Sequence, residues 1–293
     1  MSVSLFFLPS WIKSHQFTGK KFADLSPNEI NDIRTRISKF QDDEPEVSVM
    51  IPAWNEENNI FRALSSLASS NTKRKVEIVV INNNSTDQTQ KVLEALGVRN
   101  YFQPTQGISF ARQLGLENAK GKYHLCADSD SYYPPDWIDC MIKPMEKNPK
   151  IVGVYGRYAF LPTAGNDRFL LWFYERLTGV LVWLRKSKRE YINFLGFNMG
   201  FVTEIGKKNG GFKVTAIRKF DNALGSEYFV DEAEDGRMAI NLQKSGNLKL
   251  VRTNKARVFT SSRRLISEGG LLKSFTKRLK LHSKRMSEYV KGR

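Results

Sequence analysis

Asp128 and Asp130, separated by Ser129, end the run Tyr123-His124-Leu125-Cys126-Ala127, which reads as a short buried strand. On an extended backbone, residues two apart point to the same side. Two carboxylates so placed offer hard oxygen donors to a divalent cation that can also hold a diphosphate. An acidic turn on a solvated rim would carry the same residues, so the triplet alone does not decide. A second acidic group, Asp231, Glu232, Glu234 and Asp235, opens a predicted helix, where the helix dipole favours acids in the first turn. A carboxylate is the type of group that takes a proton from an attacking hydroxyl. Decoration of a helix start accounts for this group when it is read alone.

The elements that position these residues alternate in type. Strands are expected at Val47–Ile51, Val76–Ile81, Val98–Phe102 and Tyr123–Ala127, with helices at about Glu57–Ser69, Asp87–Leu96 and Ile108–Ala119 between them. That order predicts βαβ units, hence an α/β fold with a mostly parallel, Rossmann-like sheet and helices on both faces. Such sheets bind ligands at the carboxyl ends of their strands. Asn55-Glu56, Asn82-Asn83-Asn84 and Asp128-Ser129-Asp130 all fall there, and three polar clusters on one rim are harder to ascribe to chance than one. No Gly-x-Gly-x-x-Gly follows the first strand and no Gly-Lys-Ser/Thr loop occurs, which leaves metal–carboxylate binding as the economical way to hold phosphate.

Beyond Ile151 the alternation ends. Ile151–Phe160 reads as one longer strand, Phe169–Leu184 as an apolar helix that is buried or lies on a membrane surface, and Arg185–Arg189 as a basic run. Gly196-Phe197-Asn198-Met199-Gly200 reads as backbone close to a ligand, and Gly210-Gly211 as a turn after a helix at Glu204–Asn209. At the other end, Ser26-Pro27-Asn28-Glu29 is a capping box with proline at the first helical position. Ile30, Ile33, Ile37 and Phe40 follow at helical spacing. The chain thus divides into a helical N-terminal appendage (1–45), a catalytic domain (46–264) and a basic amphipathic C-terminal helix (265–293).

Composition narrows the partners. The 293 residues carry a net charge of +16, with 41% hydrophobic and 26% charged residues. That excess of positive charge implies an anionic partner. Two cysteines, Cys126 and Cys140, form neither a metal-type nor a redox-type pair and suit a reducing compartment. Met1–Ile12 lacks the basic start and long apolar core of a signal peptide. The tract Phe169–Leu184 holds Glu175 and Arg176 and is shorter than the roughly twenty residues of a membrane span. No spanning segment is predicted.

Taken together, the motifs resemble family 2 glycosyltransferases with the GT-A fold, over Val47 to Arg264. Val47–Glu57, with Pro52-Ala53-Trp54-Asn55-Glu56, resembles that family's opening strand and Pro-x-x-Asn-Glu turn. Ile81–Asp87 is similar to its nucleotide-binding loop, Gly107–Arg112 to the start of its third helix, Asp128–Asp130 to its metal and diphosphate motif, and Ala233-Glu234-Asp235 to its later acidic motif. The resemblance implies inverting transfer of one sugar from a nucleotide-diphosphate donor, with Mn2+ or Mg2+ as cofactor. It implies Asp130 as principal metal ligand assisted by Asp128, Asp235 as base, and Glu234 positioning acceptor or loop. Pro52, Ala53, Asn55, Glu56, Asn82, Asn83, Asn84, Arg112, Asp128 and Ser129 become candidates for donor binding. Asn198, Arg263 and Arg264 become candidates for acceptor or phosphate binding.

Several residues carry two readings. Many relatives place an aspartate in the stretch held here by Asn82–Asn84, and asparagine donates as well as accepts. That stretch also suits a turn, and Asp87 suits a helix cap. Arg112 reaches diphosphate or sugar, or is a solvated helix arginine. Arg263-Arg264 clamps a phosphate or forms basic surface, and His282 reads as a surface histidine. Leu271–Arg293 holds eight Lys or Arg and one acid, with Leu272, Phe275, Leu279, Met286 and Tyr289 at roughly helical spacing. Such a helix packs on the domain or lies on an anionic membrane. The expected setting is cytoplasmic, peripheral on the membrane face, with a lipid-linked or cell-envelope glycan acceptor. The Gln-x-x-Arg-Trp of processive synthases is absent. A basic nucleic-acid-binding protein or a catalytically silent GT-A scaffold are the alternatives. The first would leave the carboxylates at the strand ends repelling phosphate, so no nucleic acid is expected as a partner.

Overall fold

The computed structural model describes residues 8–162, 168–185, 189–214 and 234–263, together with 265, 273, 275–277 and 280. Arg264, His282, the stretch 186–188 of the basic run, 231–233 of the second acidic group and most of the expected C-terminal helix lie outside the described residues. Helices α1 (Ser10–Gln16) and α2 (Pro27–Ile37) come first. Ser26 and Glu29 close the expected capping box, with Ser26 N–H donating to Glu29 Oε2 at 2.8 Å and Glu29 N–H to Ser26 Oγ at 3.3 Å. Ile33, Ile37 and Phe40 are buried in the same core as the strands that follow, and Ile12 packs against Tyr132, Ala159 and Phe259.

The predicted alternation follows as β1 (Val47–Ala53), α3 (Ile60–Leu67), β2 (Val76–Asn82), α4 (Thr89–Leu96), β3 (Arg99–Phe102), α5 (Ile108–Asn118) and β4 (Tyr123–Cys126). These four strands are all parallel. β1 and β2 are buried along their whole length, as the covering of both faces requires. The period of two sorts their side chains: Val47, Val49 and Ile51 join the core with α3, while Met50, Val79 and Ile81 meet Ala111 on α5.

The second half adds β5 (Ser131–Tyr132), α6 (Trp137–Lys147), β6 (Ile151–Gly156), β7 (Tyr158–Leu161), α7 (Arg168–Arg185), β8 (Met199–Val202), α8 (Thr203–Lys208), α9 (Glu234–Gln243), β9 (Asn247–Val251) and β10 (Val258–Ser261). The large sheet runs β3-β2-β1-β4-β8-β6-β9, and a small one β5-β10-β7. Only β8 is antiparallel to its neighbours in the large sheet.

One expectation is corrected here. Ile151–Phe160 is not one strand: the chain leaves the large sheet after Gly156 and enters the small one at Tyr158. Asn198 forces the break, because a Cβ on Gly156 would lie 2.3 Å from its Nδ2, which donates to Arg157 O at 2.7 Å. In the expected close-approach stretch, the nearest groups to Gly196 and Gly200 are the side chains of Arg112 and Leu125. The acid inside the apolar α7, Glu175, is satisfied locally. Glu175 accepts from Arg168 Nη1 at 2.6 Å and Nη2 at 3.0 Å, and from Phe160 N–H at 2.9 Å. Among the described residues no helix is long and apolar enough to cross a membrane. Phe275 stacks on Tyr174 of α7 at 4.3 Å, so this part of the C-terminal stripe packs on the domain.

Glu77, in the middle of this packing, is 1% exposed and accepts from Ser48 Oγ at 2.5 Å, Arg99 Nη1 at 2.9 Å and Lys120 N–H at 3.0 Å. It joins three segments of the sheet. Removing the carboxylate leaves the Ser48 hydroxyl and the Lys120 N–H without their acceptor and takes from Arg99 its buried counter-charge. Glu77→Ala is expected to cost about 3 kcal/mol in urea unfolding, whereas removing Asp43, the exposed partner of Arg99, is expected to cost under about 1 kcal/mol.

Candidate active site

The loop after β4 is fixed by a buried tyrosine. Asp128 N–H donates to Tyr133 Oη at 2.7 Å, and that hydroxyl donates to Phe197 O at 3.1 Å. Asp128 and Asp130 then part company. Asp128 Oδ1 accepts from Arg112 Nη2 at 2.9 Å. Asp130 Oδ2 accepts from Arg263 Nη2 at 3.0 Å, and the same nitrogen donates to Glu56 Oε1 at 2.9 Å. The small sheet brings Arg263 there: Thr260 on β10 pairs with Ser131 on β5, their hydroxyls 2.9 Å apart. Burial first, and then the Asp130 charge, raise the pKa of Glu56 against the opposing pull of Arg263.

Arg112 occupies the middle of the site, 6% exposed. Its Nη1 donates to Gly196 O at 3.0 Å. Its Nε lies 3.6 Å from Asp235 Oδ1 and 3.8 Å from Glu234 Oε1. Burial works against its charge, and Asp235, Asp128 and Glu234 overcome that and raise its pKa. Of the two sequence readings, the solvated helix arginine is therefore excluded. Asp235 sits at the start of α9, its Oδ2 accepting from Gly196 N–H at 2.8 Å. Its Oδ1 is enclosed and accepts no hydrogen bond among the described residues. Burial first, then the charge of Glu234, raise the Asp235 pKa above the usual carboxylate value, with Arg112 and the Gly196 N–H opposing.

The other candidates fall into two groups. Most hold the rim together. Asn55, at φ +53°, accepts on Oδ1 from Thr86 N–H at 2.8 Å. Asn82 Oδ1 accepts from Ser85 N–H at 3.1 Å and its Nδ2 donates to Gln90 at 2.8 Å. Asn83 Nδ2 donates to Thr105 O at 2.7 Å while Oδ1 accepts from Gly107 N–H at 2.9 Å. Asp87 Oδ1 accepts from Thr89 N–H at 2.9 Å, a turn before α4. Asn198 is wholly committed to scaffold: Oδ1 accepts from Trp137 Nε1 at 2.8 Å, and Nδ2 donates to Arg157 O and, at 3.1 Å, to Ala256 O. Pro52 and Ala53 end β1 beside Ile81 and Asn82, and Ser129 is buried between the two aspartates. Asn84, at φ +58°, faces the rim with no side-chain hydrogen bond to the described residues. Sequence reasoning missed Tyr133 and the Glu56–Arg263–Asp130 bridge. An aromatic three residues after a strand-end motif carries no pattern, and the bridge joins residues far apart in the chain.

The aspartates fit a cation of a particular kind. They are hard oxygen donors, and among the described residues no group of three or more His, Cys, Asp or Glu is disposed to hold a metal ion. That donor set does not make a protein-only cage. It suits Mg2+ or Mn2+ taking the rest of its shell from diphosphate oxygens and water.

The sequence pattern of glycosyl transferase family 2 matches residues 48–207. The chain belongs to that family. The glycosyltransferase GlyA of Streptococcus pneumoniae is 28% identical over 128 residues, 42% of this chain and 18% of its own. An uncharacterized glycosyltransferase of Haemophilus influenzae is 30% identical over 129 residues, 42% of this chain and 51% of its own. This chain thus spans about half or less of the length of these curated relatives. Among solved structures, a mannosyltransferase from Pyrobaculum calidifontis in complex with GDP-Man and Mn2+ superposes with a TM-score of 0.54 at 17% identity, covering 86% of this chain and 71% of that one. Staphylococcus aureus TarS in complex with UDP gives 0.53 at 18%, covering 74% and 60%. At such identities the likeness shows the fold, which is GT-A.

Gly196 is the point where Arg112 and Asp235 meet the backbone, and a Cβ there would lie 1.9 Å from Arg112 Nη2. Gly196→Ala is expected to push the guanidinium off Asp128 and Asp235. It should lower stability by about 2 kcal/mol in denaturant unfolding.

Proposed function

We propose that this protein transfers one sugar from a nucleotide-diphosphate donor to an acceptor hydroxyl, with inversion and with a divalent cation. The observation that carries this reading is Arg112, which ties the strand-end Asp128 to Asp235 in one buried network. It sets a carboxylate suited to proton transfer beside carboxylates suited to a metal-bound diphosphate. Family membership supports the reaction class, and neighbours of the same fold bound to GDP-Man or UDP support the donor class.

Asp130 and Asp128 would hold the cation, which when bound supplies Lewis-acid stabilisation of the diphosphate leaving group. Arg263, which holds Asp130 and Glu56 here, would give up Asp130 to the cation and could then pair with two diphosphate oxygens. Asn84, unlike Asn82 and Asn83, has an amide available for the base. Asp235 takes the acceptor proton on Oδ1 as the hydroxyl oxygen attacks the anomeric carbon opposite the diphosphate. Its raised pKa brings it toward the operating pH, where a general base works best. Glu234 holds Arg112 from the other side. A lipid-linked or cell-envelope glycan is the acceptor class that best fits the net charge of +16.

UDP or GDP with Mn2+ is expected to raise the Tm of the wild-type protein, and Asp130→Ala to abolish that shift. No shift with either nucleotide would overturn the reading. Asp235→Asn should lower kcat by about 100-fold or more while the nucleotide shift persists; normal turnover would place the base elsewhere.

The pH dependence has a definite sign. Asp235 must be deprotonated, so kcat/KM falls as the pH drops through its raised pKa, above the ordinary value of 3.8. Glu234→Gln removes a like charge and should move that acidic limb to lower pH. In stability the same carboxyl contributes below its unfolded pKa, and the contribution is lost as the pH rises through the raised value. The difference in unfolding free energy between wild type and Asp235→Asn is therefore expected to shift against the wild type over that rise.

A further inference from the structure

Four arginines outside the carboxylate site gather without counter-ions. Arg157 stands between β6 and β7, Arg252 directly after β9, Arg257 directly before β10, and Arg176 on α7. β7 and β10 are parallel neighbours, with Val258 N–H donating to Arg157 O at 3.1 Å, so Arg157 and Arg257 lie side by side. Arg257 is 8% exposed and its Nε is enclosed with no hydrogen-bond partner. None of the four side chains forms a hydrogen bond or ion pair among the described residues; Arg176 lies over the Trp172 ring at 5.2 Å. The acids nearby are engaged elsewhere, Glu175 with Arg168 and Glu190 with Tyr155 Oη.

The four charges act on one another. Burial first, then Arg176 and Arg252, lower the Arg157 pKa. Burial first, then Arg157, pull that of Arg257 down to about 10, with Arg176 and Arg168 adding and Glu175 opposing. Arg257 is the buried member of the four, with Arg157 half-buried and Arg176 and Arg252 exposed. A buried cation without a partner costs several kcal/mol, a cost that an anion held between Arg257 and its neighbours offsets. Guanidinium forks match phosphate in geometry as well as in charge.

We propose that Arg157, Arg176, Arg252 and Arg257 form a second anion site, which takes a phosphate or diphosphate group carried by the acceptor. The assignment to the acceptor rests on the transferase reading above. Arg257 and Arg263 flank β10 at opposite ends, about 13 Å of strand apart, so this site is not the one that Arg263 serves. It lies toward the base instead. Gly196 N–H donates to Asp235, and two residues on, the Asn198 amide holds Arg157 O and Ala256 O. Arg176 also falls in an exposed apolar stripe of α7, with Phe169, Phe173, Val180 and Trp183, each at least half exposed. Phosphate beside an alkyl chain is the chemistry such a surface receives.

Inorganic pyrophosphate in EDTA tests the site without loading the cation-dependent donor position. Calorimetry is expected to show binding to the wild-type protein, at least tenfold weaker binding to the Arg157→Gln/Arg257→Gln double variant, and retained binding to Arg263→Gln. Absence of binding, equal binding by the double variant, or loss with Arg263→Gln overturns the proposal. The Tm shift with UDP or GDP and Mn2+ should survive in the double variant, which checks that it folds. If the wild type lacks that shift while pyrophosphate binds through Arg157 and Arg257, the transferase reading fails and the anion site stands. Flotation with phosphatidic acid vesicles, against phosphatidylglycerol vesicles, then separates the sources. Retention by phosphatidic acid that depends on Arg157 and Arg257 supports a lipid-borne phosphate. No retention with pyrophosphate binding intact supports a soluble phosphorylated acceptor.

Discussion

One buried guanidinium organises the centre of this protein. Arg112 lies between Asp128, Asp235 and Glu234, and its remaining nitrogen is fixed by Gly196 O. Three carboxylates within reach of one another would repel strongly in a low-dielectric interior. The arginine makes their approach possible, and the protein's shape around it follows. Gly196 has no Cβ because the guanidinium fills that space. Tyr133 holds the Asp128 backbone so that the carboxylate faces the arginine. The antiparallel β8 brings residues 196–198 back across the carboxyl end of β4. None of these devices has an obvious purpose by itself.

Much of the first half was legible because parallel strands buried on both faces leave a plain record. Val47–Ala53 and Val76–Asn82 are apolar runs ended by polar turns, and the helices between them differ from expectation by a few terminal residues. The second half was less legible. Ile151–Phe160 is one apolar run that serves two sheets, and only Asn198, distant in sequence, shows where it breaks. The Gly196–Gly200 stretch read as backbone close to a ligand, and glycine marks such close approach without saying to what.

The site shows the same division between type and role. Asp128 and Asp130 were found because they share one rim with two other polar clusters, not because an acidic strand end is rare. Arg112 was found with its role open, since an arginine on a helix reads alike whether solvated or enclosed. Asn82 and Asn83 were marked as polar residues at the right rim and Asn198 as an acceptor or phosphate candidate, and the amides of all three face protein. Asparagine's paired donor and acceptor make it equally good at holding loops and ligands. Only the tally of its hydrogen bonds separates the two.

The position of β8 also bears on how the chain assembles. β1 to β4 lie within Val47–Cys126 and pair through short-range crossovers, so that layer can form as soon as it leaves the ribosome. Its next strand arrives only with Met199–Val202, after β6 has been made, and must insert between β4 and β6. Until then one flank of β4 is an open edge, a template for pairing with another chain. The nascent protein therefore passes through an interval in which its ligand rim is shaped on one side and adhesive on the other.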